Sequence, residues 1–323
     1  MMNLPDLPRL HLVLAPTPLV HAPRLSEAVG VEVWFKRDDL TGRGLGGNKV
    51  RTLEYLLGDA VAKGCDALVT GAGPQSNWAM LAALSARTAG FSPHLVFYGD
   101  PPEASGNLLL TQVTCTDIRY TGELDRCSVD SMLGKVADEL VAAGRFPYVV
   151  PRGGATPLGC LGYLRAAVEL VRQLPEVGVD PATLWVPTGS GGTQAGLLAG
   201  AHWLGWDVAV VGVATSRTPE EAQVRVGELA SATLELLDAD DTARAAPHVL
   251  GGFLGDGYGE VSPAGTAAAE LVARTEGIFL DPVFGAKAMA ALLAEVRHGT
   301  VRGPVIFLVT GGAPTLFMKG TEL

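Results

Sequence analysis

Lys49 is one of six lysines in a chain of 323 residues, and it stands in Leu45-Gly46-Gly47-Asn48-Lys49-Val50-Arg51, where a glycine-rich turn meets an apolar-periodic stretch. An amine forms a Schiff base with an aldehyde only where it is presented without competing bulk and spends time deprotonated. Burial or a neighbouring positive charge promotes that state. Gly44, Gly46 and Gly47 allow close backbone approach, and Arg51 offers the neighbouring charge. The plainer reading makes Lys49 an ordinary residue on the first turn of the following helix.

A second stretch, Thr188-Gly189-Ser190-Gly191-Gly192-Thr193, runs from a predicted strand into a predicted helix. That is the layout of an anion cup, in which backbone N–H groups and a helix N-terminus receive a phosphate. Charge-assisted bonds from amides contribute about 1.5–3 kcal/mol each and the helix dipole only about 0.3–1 kcal/mol, so the glycines matter more than the dipole. Gln194 stands where a Walker A loop would need its lysine, which argues against a nucleoside triphosphate. A purely structural turn is the alternative.

The third turn, Gly71-Ala72-Gly73-Pro74-Gln75-Ser76-Asn77, admits two readings. It is a near miss to G-x-G-x-x-G, with Asp100 after the next strand as the acid that would bind a ribose. Against that, Pro74 stiffens the turn and Ser76 replaces the third glycine. Ser76 and Asn77 at a helix N-terminus would instead receive a carboxylate, or Ser76 would serve as a plain N-cap. A scarce lysine, a phosphate cup and a carboxylate-sized turn together describe pyridoxal phosphate and an amino acid.

These groups need a scaffold, and short β-branched runs alternating with alanine- and leucine-rich helical patterns predict an α/β fold with mainly parallel strands. Strands are expected at 31–36, 67–70, 93–98, 117–120, 148–150, 183–187, 207–214 and 304–310. Helices are expected at 49–63, 77–89, 130–143, 160–173, 193–204, 219–230, 263–276 and 285–298. The three glycine-rich turns, the last being Thr310-Gly311-Gly312-Ala313-Pro314, follow strands and should face one another at the carboxyl edge of a sheet. No repeat or long linker divides the chain, so two domains would be interleaved.

Composition narrows the classes further. Hydrophobic residues at 48% and charged residues at 18% exclude a disordered chain, and a formal net charge of −10 argues against nucleic acid. The apolar runs are of strand length, far short of a membrane span. Met1-Met2-Asn3-Leu4-Pro5-Asp6 carries neither a charged leader nor an apolar core, so a cytoplasmic location is expected. Cys65, Cys115, Cys127 and Cys160 form no C-x-x-C pair and read as reduced core thiols; the six histidines are scattered, and no metal is expected.

On these motifs the chain resembles the fold-type II pyridoxal-phosphate enzymes, and within them the D-cysteine desulfhydrase and 1-aminocyclopropane-1-carboxylate (ACC) deaminase family. The likeness runs in order through Phe35-Lys36-Arg37-Asp38-Asp39-Leu40-Thr41, Gly46–Arg51, Gln75-Ser76-Asn77, Gly189–Gly196, Gly257-Tyr258-Gly259, Asp281-Pro282-Val283 and Thr310–Pro314. It implies a two-domain, tryptophan synthase β-like fold of open, mostly parallel sheets flanked by helices. Residues 1–51 and 163–323 would form the large cofactor-binding domain and residues 52–162 the substrate-side domain, in a homodimer. It also implies that Lys49 holds the cofactor and moves the Cα proton, with Asn48 beside it and Gly189 to Thr193 on the phosphate. Asn77 would bond the phenolic oxygen, Ser76 would contact the substrate carboxylate or assist proton transfer, and Tyr258 would line the substrate side.

Four positions depart from the family pattern. Phe284 stands where a tyrosine is usual, so it stacks on the ring but donates no proton. Gly285 replaces the side chain that meets the pyridine nitrogen, leaving Thr310, another hydroxyl or water. Trp78 and Ala155 replace polar residues and reshape the substrate pocket; for Trp78, core packing is the plain alternative. The expected reaction is α,β-elimination from a small β-substituted amino acid, giving a 2-keto acid and ammonia. ACC ring opening fits less well without the tyrosine and glutamate. A nicotinamide-dependent oxidoreductase and a cofactor-binding protein without catalysis are the rivals.

Overall fold

Runs of β-branched residues build two separate sheets, and the chain visits the first, leaves to complete the second, then returns. The computed structural model describes residues 6–115, 117–239 and 247–318; Met1–Pro5 of the stretch read above for a leader lie outside the described residues. The first excursion contains β1 (Leu19–His21), α1 (Pro23–Val29) and β2 (Val33–Arg37), and leads to α2 (Lys49–Ala62). The second sheet is then made by β3 (Ala67–Ala72), α3 (Asn77–Thr88), β4 (Ser92–Phe97), α4 (Gly106–Thr114), β5 (Asp117–Tyr120), α5 (Ser128–Ala142) and β6 (Pro147–Val149). After α6 (Pro157–Val177) the chain returns with β7 (Thr183–Thr188), α7 (Gly192–Leu204), β8 (Ala209–Ala214), α8 (Pro219–Glu235) and β9 (His248–Leu250). It closes with α9 (Pro263–Glu276), α10 (Gly285–Arg297) and β10 (Val305–Val309).

The larger sheet has the order β1-β2-β10-β7-β8-β9 and is parallel except for β1, which pairs antiparallel with β2. The smaller, order β5-β4-β3-β6, is parallel throughout. Strand β10 explains why the larger sheet needs helices on both faces: Val305, Phe307 and Val309 enter the core under α9 and α10, while Ile306 and Leu308 enter the core under α6 and α7. A strand buried on both sides reads as a continuous apolar run, which Val305-Ile306-Phe307-Leu308-Val309 is.

Differences from the expected elements lie where local patterns are weakest. The strands β1 and β9 span three residues each and α1 seven, too short for a period to show, and α4 spans only nine residues, from Gly106 to Thr114. Helix α6 starts at Pro157 rather than 160, because the Thr156 hydroxyl accepts from the Gly159 amide and Pro157 suits the first helical position. Of the four cysteines only Cys160 is buried; Cys127 is exposed at the start of α5, so it is not a core thiol.

Candidate active site

Lys49 is delivered to the carboxyl edge of the larger sheet by a turn that only glycine can make. A Cβ on Gly46 would stand 1.7 Å from the Asp39 carbonyl oxygen, and one on Gly311 would stand 2.7 Å from the Gly47 Cα. The Thr41 hydroxyl donates to the Gly47 carbonyl and accepts from its amide, while the Asn48 amide donates to the Thr310 carbonyl at 2.9 Å. The turn is thereby bound to the exit of β10. At its end the Lys49 side chain lines a cavity and forms no hydrogen bond or ion pair with any described residue. Burial lowers its amine from 10.5 to about 8, opposed by the nearby Cys160 sulfur.

The charge expected from Arg51 is not what lowers it. The Arg51 guanidinium is buried and bonded to both Asp38 carboxylate oxygens at 2.8 Å and to Glu169 at 3.0 and 3.1 Å. Lys36 bonds the same Glu169, and Tyr163 donates to Asp38 at 2.6 Å. Arg51 is neutralised beneath the site, and desolvation alone carries the shift.

Opposite the amine, the loop after β7 makes a cup. Gly191 adopts φ +91, no side chain caps α7, and the amides of Ser190, Gly191, Gly192 and Thr193 donate to no described group. The Thr215 hydroxyl beside Gly189 is buried without a partner. Asn48 Nδ2 donates to Thr193 Oγ1 at 3.0 Å, tying the lysine turn to the cup. Gly189, Ser190, Gly191 and Thr193 face the cavity, whereas Gly192 sits behind, where a Cβ would lie 3.3 Å from that of Ala155.

The third wall comes from the smaller sheet. Ser76 caps α3 by accepting from the Ala79 amide at 3.3 Å, and it lines the cavity as well, so the two readings of this residue are compatible. Asn77 lines the cavity beside it, its Oδ1 taken by Asn107. Trp78 is 2% exposed, donates its indole N–H to Thr70 and packs where a Cβ on Gly154 would stand, so it is wall rather than a free group. The nicotinamide reading of this turn fails: the Tyr98 phenol stands 2.7 Å from where a Gly73 Cβ would be, and Asp100 is exposed outside the cavity.

Tyr258 and Phe284 meet edge to face at 6.2 Å on the fourth side. Although Tyr258 is 37% exposed at the mouth, loss of water around its hydroxyl pushes it up to about 12. Its loop is held by Lys287, whose buried amine donates to the Leu254 and Gly257 carbonyls. Asp281 accepts the amides of Val283, Phe284 and Gly285; burial raises it to about 6. Its Oδ2 would lie 3.1 Å from a Gly285 Cβ. Thr310 reaches the cavity from the end of β10.

Sequence reasoning missed Tyr98, Arg126, Arg152 and Arg217, which also line the cavity. Tyr98 ends an expected strand and Arg152 begins a short 3-10 helix, neither of which marks a site, while Arg126 and Arg217 sit in loops; only the fold brings the four together. Arg126 lies 4.9 Å over the Tyr258 ring, Arg217 donates to the Gly189 carbonyl at 2.6 Å, and Arg152 is paired with Asp130.

The donor set fits a phosphorylated aldehyde: a cup of unpaired amides with an orphaned hydroxyl beside it, an amine without a partner, and a flat aromatic wall. Residues 10–311 match the family model described as pyridoxal-phosphate dependent enzyme. A D-cysteine desulfhydrase of Salmonella typhi is 39% identical over 325 residues, covering 98% of this chain and 97% of that one. A putative 1-aminocyclopropane-1-carboxylate deaminase of Pyrococcus abyssi is 37% identical over 316 residues, covering 98% and 95%. The crystal structure of an ACC deaminase homologue superposes with a TM-score of 0.91 at 36% identity, covering 97% and 94%. The chain belongs to the pyridoxal-phosphate dependent enzymes, in the ACC deaminase and D-cysteine desulfhydrase family.

Proposed function

We propose that this enzyme eliminates a leaving group from Cβ of a small amino acid, so that X–CH2–CH(NH3+)–COO− and water give a 2-keto acid, ammonium and HX. Among the described residues lining the cavity there is no carboxyl and no imidazole, and Lys49 alone has an amine near neutrality. That observation carries the reading. Elimination needs one base at Cα, and a leaving group such as thiolate or chloride departs without a strong acid.

Bound pyridoxal phosphate supplies the electron sink that makes the Cα proton removable. Asn48, Ser190, Gly191 and Thr193 would hold its phosphate end, Phe284 would pack on the ring, and Thr310 would face it from β10. Lys49 would hold the cofactor, then take the Cα proton. Ser76, with the α3 amides, would fix the substrate carboxylate and orient the Cα–H bond toward Lys49. Tyr258 would close the substrate side, its raised value keeping it a donor at neutral pH. On this reading residues 52–162 form the substrate-side unit. ACC has no Cα proton, and Phe284 offers no hydroxyl for ring opening.

The test is a panel of D- and L-β-substituted amino acids with ACC, assayed for 2-keto acid and ammonia on holoenzyme and on Lys49→Ala. Turnover of a β-substituted substrate that is lost in the variant supports the reading. Turnover of ACC at a comparable rate overturns it.

A further inference from the structure

An asparagine amide has two orientations that exchange its oxygen and nitrogen, and only one of them lets Asn77 donate into the cavity. The structure contains a chain of bonds that decides between them. Asn107, fully buried in the first turn of α4, donates through Nδ2 to the Gln75 carbonyl at 3.0 Å and to Asn77 Oδ1 at 2.6 Å. A backbone carbonyl only accepts, so the Asn107 atom facing it is its nitrogen. The second hydrogen on that nitrogen then requires an acceptor on Asn77. Asn77 Oδ1 is turned to Asn107, and Nδ2 is left for the cavity side, near Gly312.

The clasp around this relay is closed by groups whose polarity is equally fixed. The Asn107 amide donates to Gln75 Oε1 at 3.0 Å, and Gln75 Nε2 donates to the Ser105 carbonyl at 3.0 Å. Gly106, at φ +50, allows the approach, since a Cβ there would stand 2.7 Å from Gln75 Oε1 and 2.9 Å from the Pro314 carbonyl. Asn107 Oδ1, meanwhile, is buried with no partner among the described residues, an arrangement that costs free energy.

We propose that Asn107 is a positioning residue that sets the polarity of Asn77, relaying the fixed direction of the Gln75 carbonyl so that Asn77 is a donor toward the bound group. That the acceptor is the phenolic oxygen of the cofactor rests on the reading above. A donor there stabilises the oxygen when it carries most negative charge, so it lowers the pH at which the visible band of the bound cofactor titrates.

The experiment records that band against pH in holoenzyme carrying Asn107→Asp, Asn77→Ala or both, with melting temperatures alongside. An ionised aspartate only accepts, so it draws Asn77 Nδ2 to itself and turns Oδ1 to the cavity. Each single variant should move the titration upward by roughly one pH unit, the size of one lost hydrogen bond to a charged oxygen. The double variant should move no further than Asn77→Ala. Should Asn107→Asp not fold, Asn107→Ala frees the amide to turn and gives the same direction with a smaller shift. A lower melting temperature with an unmoved titration, or additive shifts in the double variant, overturns the relay. A wild-type protein with no band that borohydride reduces at Lys49 overturns the cofactor role of these residues and the relay together.

Discussion

The amine of Lys49 sets a measurable pH dependence on how the enzyme is loaded. With its value lowered from 10.5 to about 8, it is roughly one-tenth neutral at pH 7, against ~0.03% for an unperturbed lysine, an enrichment of about 300-fold. The rate at which apoprotein captures pyridoxal phosphate, followed by growth of the visible band, should rise about tenfold per pH unit to near pH 8 and then level. Dividing by the rate of a simple alkyl amine under the same conditions removes the titrations of the cofactor itself. The same shift is a stability statement. Because the folded-state value lies below the unfolded one, the cost of burying the amine is full below about pH 8 and fades as pH rises toward 10.5. That cost is up to about 3 kcal/mol. Apoprotein carrying Lys49→Met should therefore melt several degrees above wild-type apoprotein at pH 7, with the gap closing in alkali. A capture rate that keeps climbing past pH 9, together with a Lys49→Met variant no more stable than wild type, would refute burial as the cause of reactivity.

Gly312→Ala forces a Cβ to 2.8 Å from Asn77 Nδ2 and 2.9 Å from the Asp281 Cβ at φ +102; cofactor affinity, titrated on apoprotein, should fall by at least about tenfold. Arg51→Met strands Asp38 and Glu169 in the core, so urea unfolding of the holoenzyme should report a loss of about 3–5 kcal/mol. Both carboxylates are held below their ordinary values of 3.8 and 4.5, chiefly by Arg51 acting against their burial. The stability they contribute is thus full above about pH 4.5 and is lost as pH falls below 3.8, a slope that Arg51→Met should abolish. Arg126→Gln removes from the cavity wall a cation that stacks on Tyr258 and has no ion pair among the described residues; KM should rise more for substrates with an anionic leaving group than for neutral ones, with kcat little changed.

What could be read from the sequence follows from where the information is local. The turn at Gly46-Gly47-Asn48-Lys49 announces itself because Gly46 and Gly47 hold a backbone geometry that tolerates no side chain, and the cup at Gly189–Thr193 does so through Gly191, whose φ of +91 disfavours one. Helix α9 was legible to the residue since Ser262 caps it and Gly277 ends it in the left-handed conformation. Arg51 misled because a charge two residues from Lys49 looks like its perturber, while its real partners, Asp38 and Glu169, are 13 and 118 residues away. Arg126 and Arg217 carried no signal at all, since loops reach a cavity by virtue of the strands they join. The same holds for Asn107, whose meaning lies in the orientation of an amide on another helix.

The strand order accounts for how such separate motifs converge. Strands β2, β10 and β7 are adjacent and parallel, and their carboxyl ends lead respectively to the Lys49 turn, to Thr310 and to the phosphate cup. The chain leaves β7 toward β8 and β9 but must cross back to lay β10 on its other side, so β7 and β10 flank the point where the winding reverses, and a crevice opens there. The larger sheet therefore supplies the groups that would grip a cofactor. The second sheet supplies another wall of the cavity: β3 ends at Ala72 and the chain then delivers Ser76 and Asn77 at the N-terminus of α3. The segment from 67 to 149 is inserted between β2 and β7 in sequence. On the proposed reading, substrate recognition would depend on how α3 is held against the larger sheet. The clasp between Gln75 and Asn107 would then be a determinant of chemistry at Lys49, although neither residue need touch the reacting atoms.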